Sequence, residues 1–146
     1  MTKKKTVPLI VVLTCVCACT GQGVLPPLPG DAIELGADLY EESSDQQTGD
    51  VTIQYTLFLT NISDETLETV ILKDFELPSD IVMSNEYFEI KNLRPGETGE
   101  VNFKVIVKGW GLNKRDQEWA IDFTIRIEKN SAYTEQTFYY GITLYA

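Results

Sequence analysis

The sequence predicts an all-β protein, an antiparallel β-sandwich of about seven strands that follows an N-terminal signal segment. Apolar and polar residues alternate with a period of two over long stretches after residue 31, which is the mark of strands buried on one face. Polar turns separate these stretches, and no segment keeps the 3.6-residue period of an amphipathic helix. A parallel α/β fold, which needs helices between its strands, is therefore excluded.

Each predicted strand rests on this alternation. In the second strand, for example, Ile53, Tyr55 and Leu57 are separated by single polar residues. The turn Arg94-Pro95-Gly96-Glu97 places proline and glycine in the order that a type II turn requires. The seven predicted strands are residues 33–40, 51–60, 69–73, 87–92, 101–108, 119–128 and 137–145.

The first 20 residues have the organisation of a secretory signal. Three lysines, Lys3, Lys4 and Lys5, precede an apolar run from Val7 to Val16. A bilayer-spanning helix needs about 20 apolar residues, and this run is shorter. The segment therefore predicts a signal peptide rather than a permanent transmembrane helix.

All three cysteines lie at the end of this segment, at Cys15, Cys17 and Cys19. Their spacing does not suit a structural disulfide, and no second cluster completes a metal site. Val16, Ala18 and Cys19 resemble the lipobox of prokaryotic lipoproteins, which has an aliphatic residue three positions, and a small residue one position, before the lipidated cysteine. The resemblance implies cleavage before Cys19, acyl chains such as palmitate on it, and attachment to a membrane.

The chain is thus predicted to have three parts. Residues 1–18 form a lipoprotein signal peptide, residues 19–30 a lipidated cysteine with a Pro/Gly-rich tether, and residues 31–146 the folded domain. Three prolines between residues 26 and 29 favour extended polyproline II, which suits a spacer; a ligand for a proline-reading domain is the alternative. Plain secretion or a short uncleaved anchor is the alternative for the first part. The domain holds no cysteine, so core burial must stabilise it.

About seven strands in roughly 115 residues is typical of an immunoglobulin-like sandwich. Between residues 50 and 108 lie a strand ending in Leu59-Thr60-Asn61, the aliphatic strand Val70-Ile71-Leu72, and the segment from Ile90 to Glu97 that leads into a further strand. In this order they resemble the CARDB-type group of prokaryotic extracellular immunoglobulin-like domains. The resemblance implies an adhesion or spacer module without catalytic residues.

Composition excludes several classes of function. The chain has no histidine, so Ser-His-Asp and Cys-His catalysis and His-ligated metals are excluded. Its formal net charge of -10 argues against nucleic acid, which needs clustered basic residues. No pair of carboxylates is marked for glycoside hydrolysis. We expect a protein that is not an enzyme and has no cofactor and no nucleic-acid partner.

The most acidic stretch is residues 31–50, with seven carboxylates and no basic residue. A calcium loop needs oxygen ligands at alternating positions around a central glycine, and the segment 45–50 places its glycine off that register. We therefore expect a solvated acidic surface and no metal site. A calcium site built from separate loops is the alternative.

The segment 109–115 is the first candidate contact surface, because Trp110 lies between two glycines and close to Lys114 and Arg115 in an acidic protein. Exposed on a loop, Trp110 would stack on a sugar or anchor a protein contact while Lys114 and Arg115 recognise an acidic group. In the alternative, Trp110 folds back to plug one end of the sandwich.

The last predicted strand is the second candidate surface. Tyr139 and Tyr145 lie on the face opposite its apolar residues. At a sheet edge this strand would pair with another chain; in the alternative, the tyrosines cover the outer sheet face.

Together these patterns predict a non-catalytic surface lipoprotein, anchored through Cys19, whose domain serves in binding or adhesion or as a structural module. A protein or glycan is the expected partner, and the cell envelope, at the outer membrane or cell surface, the expected location. The alternative is an accessory or assembly subunit of a surface appendage, secretion or transporter complex that uses edge-strand pairing.

Overall fold

The computed structural model describes the backbone of residues 3–19, and residues 25–146 with their side chains. These described residues include two short helical turns, α1 at Pro29–Ala32 and a 3₁₀ turn at Trp110–Leu112. The strands are β1 Lys3–Cys19, β2 Ile33–Ser44, β3 Val51–Asn61, β4 Leu67–Glu76, β5 Ile81–Met83, β6 Phe88–Leu93, β7 Thr98–Val107, β8 Gln117–Lys129 and β9 Ala132–Tyr145.

The strands form two antiparallel sheets. One has the order β9-β8-β4-β6, with β1 added outside β9, and the other has the order β2-β3-β7-β5. Strands β2, β3, β7 and β5 occupy the places of A, B, E and D in the immunoglobulin fold, and β9, β8 and β4 those of G, F and C. Strand β6 adds to this pattern beside β4. The predicted immunoglobulin-like sandwich is confirmed.

All seven predicted strands are present, and within residues 31–146 the structure adds one to them. The additional strand, β5, has three residues and pairs with β7 through Val82 and Ile106. Three residues are too few to establish an alternation, so the period of two could not reveal it.

The two sheets enclose an aromatic and aliphatic core. Every second residue of β3 from Val51 to Asn61 is buried, as the alternation predicts. Tyr55 stacks on Phe103 with ring centroids 5.3 Å apart, and Phe75 stacks on Phe123, also at 5.3 Å. Each of these pairs lies within one sheet. The ring of Tyr55 also contacts that of Tyr140 in the facing sheet, with centroids 4.6 Å apart, and this contact joins the two sheets and adds to the stabilisation from apolar burial.

The sandwich has two distinct ends. At the Ile33 end, Ile33 pairs with Asn61, whose N–H donates to the carbonyl of Glu97 at 3.0 Å. At the Trp110 end, Ser44 pairs with Val51, next to the loop that holds Trp110. The 12 residues of β2 run between the ends, a span of about 40 Å at roughly 3.3 Å per residue.

Residues 25–32 lie at the Ile33 end and pack on the domain. Thr134 Oγ1 donates to the carbonyl of Pro27 at 2.7 Å, and the N–H of Gly30 donates to Gln136 Oε1 at 2.8 Å. Pro29 and Ala32 are buried. The second half of the segment that the sequence assigns to the tether therefore contacts β9, while residues 20–24 lie outside the described residues.

Strand β1 consists of the segment that the sequence assigns to the signal peptide. It runs antiparallel to β9, from Lys3 opposite Tyr145 to Cys19 opposite Ala132, with two irregularities in register. The side chains of β1 lie outside the described part, so acylation of Cys19 stays a prediction. Among the described residues, no helix has the length and apolar character needed to cross a membrane.

Candidate binding surface at the Trp110 end

Trp110 folds back into the sandwich. Its side chain is 5% exposed, and its Nε1 donates a 2.9 Å hydrogen bond to the carbonyl of Arg115. Of the two positions that the sequence left open, the structure shows the buried one, in which Trp110 closes one end of the sandwich. A large apolar ring gains most free energy by covering the open end of the core. Trp110 therefore has no exposed ring face on which a sugar could stack. Its hydrogen bond instead holds the backbone of Arg115 in place.

Close backbone contacts hold this loop against the β2–β3 turn. The N–H of Gly111 donates to the carbonyl of Gly49 at 2.6 Å. A β-carbon at Gly49 would lie 2.5 Å from the side chain of Leu112, and Gly49 has a φ of +77°. Glycine is therefore required at Gly49 by both space and conformation.

Asp50 joins the same two loops by charge. Its Oδ2 accepts a hydrogen bond from Lys108 Nζ at 3.0 Å, and its Oδ1 accepts from the N–H of Gly109 at 3.0 Å. These bonds, first that from Lys108, hold the pKa of the Asp50 carboxyl below its ordinary value. Asp50 thus fixes the start of the segment that carries Lys114 and Arg115.

A second tryptophan at the same end of the sandwich, Trp119, is held by a hydrogen bond. Trp119, 7% exposed, donates from Nε1 to Asp80 Oδ2 at 3.0 Å. A cleft of about 160 Å³ lies between these two residues and Arg115. Sequence reasoning missed the Asp80–Trp119 pair, since nothing in a single sequence links positions 39 residues apart.

Lys114 and Arg115 are exposed and differ from the other basic residues of the domain. Residues 25–146 hold nine Lys and Arg side chains. Within those residues, seven of the nine form ion pairs with carboxylates, and Lys114 and Arg115 form none. The two charges that the sequence singled out are therefore those that the fold leaves without an internal counter-charge.

Carboxylates also line this end. A second cleft, of about 110 Å³, is bordered by Lys114 together with Glu41 and Asp45. Asp45 Oδ1 accepts hydrogen bonds from the backbone of Gln47 and Thr48, at 2.8 and 3.2 Å. Across the part of the chain that the structure describes, no group of three or more acidic, Cys or His residues is placed to hold a metal ion.

The structure places the two tyrosines away from this loop, on β9. Tyr139 and Tyr145 are half-buried and lie on the outer face, because Phe138, Tyr140 and Leu144 point into the core. Tyr139 pairs with Asp122 of β8 on one side and with Ile10 of β1 on the other. The predicted site residues therefore form two surfaces, not one.

Comparison with known proteins identifies no family. No family model matches the chain, and no curated protein matches it. Among solved structures, the chain is similar to the FixG-related protein from Vibrio parahaemolyticus, at 17% identity and a TM-score of 0.36, over 70% of this chain and 91% of that one.

Proposed function

We propose that this protein is a lipid-anchored envelope protein whose immunoglobulin-like domain binds an anionic group through Lys114 and Arg115. The observation that carries the proposal is a pair of exposed basic side chains that form no ion pair within residues 25–146, on a loop that the buried Trp110 and the carboxylate of Asp50 hold in place. Preorganised charges bind more tightly than mobile ones, because less conformational entropy is lost. The CARDB-type resemblance is in keeping with a binding role.

The position of the proposed anchor supports this proposal. Cys19 lies opposite Ala132 in the strand register, at the Ile33 end, where residues 25–32 also lie. Lys114 and Arg115 lie at the other end, about 40 Å away by the length of β2. A lipid on Cys19 would thus hold the basic pair far from the membrane that bears the lipid and accessible to a partner outside the cell.

The anchor is tested by the intact mass of the protein from its own membrane fraction. We expect the mass of residues 19–146 plus acyl chains. Cys19→Ala should release the protein from the membrane or leave it unprocessed, whereas Cys17→Ala, the matched control, should still be processed and acylated. A Cys19→Ala protein that keeps its acyl chains and its membrane attachment would disprove the anchor.

Binding is tested with two anionic probes, immobilised polyglutamate and polygalacturonate, which present carboxylates on a peptide and on a glycan. The wild-type protein should bind at least one of them, and binding should weaken with added salt. The Lys114→Gln/Arg115→Gln double variant should lose the binding. The Lys91→Gln/Arg94→Gln variant makes the same charge change at exposed sites elsewhere and should retain it. Wild-type protein that binds neither probe would overturn the proposal.

A second candidate function is assembly with another chain through β9. It is supported by the pairing of β9 with an additional strand from Ala132 to Tyr145, with two irregularities in register. An assembly subunit of an appendage, secretion or transporter complex would use this edge for a partner strand.

A further inference from the structure

Strand β9 is the edge at which the described structure accepts an extra strand. The segment 3–19 pairs with it from Tyr145 to Ala132. Cleavage before Cys19, on which the following inference rests, removes all of that segment except Cys19. The backbone N–H and carbonyl groups on this side of β9 then lack partners, which favours the addition of another strand.

Three other strands end the sheets, and each has a feature that discourages pairing. Strand β5 has three residues. Strand β6 has six and carries Glu89 and Lys91. Strand β2 carries several carboxylates and a register irregularity between Glu41 and Ser43. Short length, charge and bulges are the means by which proteins protect sheet edges.

Strand β9 lacks these protections. It has 14 residues with no proline, lysine or arginine, and its single charge is Glu135. That charge is neutralised within the domain, because Glu135 Oε2 lies 2.8 Å from Lys73 Nζ and 2.6 Å from Arg126 Nε. A strand laid beside β9 therefore meets no unpaired charge.

We propose that β9 pairs with β9 of a second copy of this chain, antiparallel and centred on Tyr139. In this register the outer faces of the two sheets are continuous, because each outer-face residue of one β9 lies opposite an outer-face residue of the other. Tyr139 lies opposite Tyr139 of the second copy, and Tyr133 opposite its Tyr145. Glu135 faces Thr143 of the second copy, so that no acid faces an acid. Aromatic cross-strand pairs of this kind stabilise antiparallel sheets.

A neighbouring register, centred on Phe138, also keeps the outer faces continuous. It does not place the outer-face tyrosines opposite one another. It would place Tyr139 opposite Thr137 and Tyr133 opposite Thr143 of the second copy. The three outer tyrosines of β9 pair with one another in the Tyr139 register alone, and this selects it.

Antiparallel pairing sets the orientation of the two anchors. The Ile33 end of one copy lies beside the Trp110 end of the other, so the two Cys19 positions are separated by about the length of the sandwich, roughly 40 Å. Five residues lie between Cys19 and Leu25, and the six steps from Cys19 to Leu25 reach at most about 20 Å. With the domain upright on its membrane, as in the proposed function, the pair links copies on two facing membranes, a homophilic adhesion.

Disulfide trapping tests the register on the processed, acylated protein in detergent. Its only native cysteine, Cys19, is occupied by lipid. Tyr139→Cys should form a covalent dimer on mild oxidation, because directly opposed β-carbons lie about 4.5–5.5 Å apart. Tyr133→Cys and Tyr145→Cys should each form little covalent dimer alone, because neither cysteine then lies opposite another. The two variants should cross-link when they are mixed. Protein that is monomeric at micromolar concentration and does not cross-link at position 139 would overturn the proposal.

Vesicle clustering tests the orientation. Vesicles that carry the acylated protein should cluster, more strongly as salt screens the repulsion between two acidic domains. Tyr139→Lys should abolish clustering. Thr137→Lys, at the same edge, should do so as well, and it serves as a second test in case the first variant misfolds. Val82→Lys, on the exposed edge strand β5, should cluster like wild type. Dimers in detergent without clustering of vesicles would refute the facing-membrane arrangement.

The failure of one proposal can be distinguished from the failure of the other. Added salt should weaken the binding of anionic probes to Lys114 and Arg115, whereas it should strengthen the pairing of two acidic domains through β9. The Tyr139→Lys variant should keep its probe binding, and the Lys114→Gln/Arg115→Gln variant should keep its dimer.

Discussion

The side-chain amide of Asn61 donates a 2.8 Å hydrogen bond to the carbonyl of Leu93. The same Nδ2 donates to the carbonyl of Glu65, also at 2.8 Å, and Oδ1 accepts from the N–H of Ser63 at 2.9 Å. Asn61 ends β3 in one sheet, while Leu93 ends β6 in the other. One fully buried side chain therefore joins the two sheets at the Ile33 end.

Asn61→Ala should lower the free energy of unfolding by about 1–3 kcal/mol, because it leaves buried backbone carbonyls without their donor. Urea unfolding measures the effect as a lower midpoint at an unchanged slope. Ile62→Ala, at the exposed neighbouring position, serves as the control and should change stability by no more than about 0.5 kcal/mol. Equal effects at the two positions would contradict a role for the Asn61 bonds.

Asn61 should also escape glycosylation. Asn61-Ile62-Ser63 has the sequence of an N-glycosylation acceptor, but Nδ2 already uses both of its hydrogens on the carbonyls of Glu65 and Leu93. Folded protein incubated with an oligosaccharyltransferase and a lipid-linked glycan should therefore show no mass increase at this asparagine in its tryptic peptides. A substantial glycosylated fraction would mean that this end of the sandwich opens before modification.

Trp110→Phe should cost about 1 kcal/mol of stability, since it removes the hydrogen bond to the carbonyl of Arg115 and keeps most of the apolar burial. It should also weaken probe binding, because Arg115 is no longer held. Trp119→Phe is the matched control: it removes the bond to Asp80 at a similar cost, and should affect probe binding less. Thermal unfolding and titration with polyglutamate measure the two effects.

Acid should destabilise the cluster around Glu135. Burial raises the pKa of this carboxyl, but the hydrogen bonds from Lys73 and Arg126 outweigh it and bring the pKa below the ordinary 4.5. The unfolded chain therefore binds the proton more readily, so this stabilisation is complete above pH 4.5 and is lost as the pH falls through the folded pKa. Unfolding free energies measured across this range should fall.

The comparison for this prediction is Glu135→Gln, which should be less stable than wild type at neutral pH and should lose less stability on acidification. Glu86→Gln, at an exposed carboxylate with no ion pair in the described part of the chain, should follow the wild-type curve. Parallel curves for wild type and Glu135→Gln would show that other groups govern acid unfolding.

The strands could be predicted because their cause is local. Burial of one sheet face requires an apolar residue at every second position, and β3 has that pattern from Val51 onward. The loop around Trp110 could not be predicted in the same way, since exposed and buried tryptophans look alike in a sequence. Its position depends on the open end of a core that β2, β3 and β7 build together.

Alternation in the chain is enough to establish an antiparallel sandwich, and residue types alone locate the two candidate surfaces. Tertiary structure decided the rest: that Trp110 holds Arg115 instead of binding a ligand, and that Asp80 meets Trp119 across the fold. It also decided that Lys114 and Arg115 lie at the end opposite Ile33. These relationships depend on which strands become neighbours, and pairing between segments far apart in the chain is set by the packing of the whole core, not by the period of any one strand.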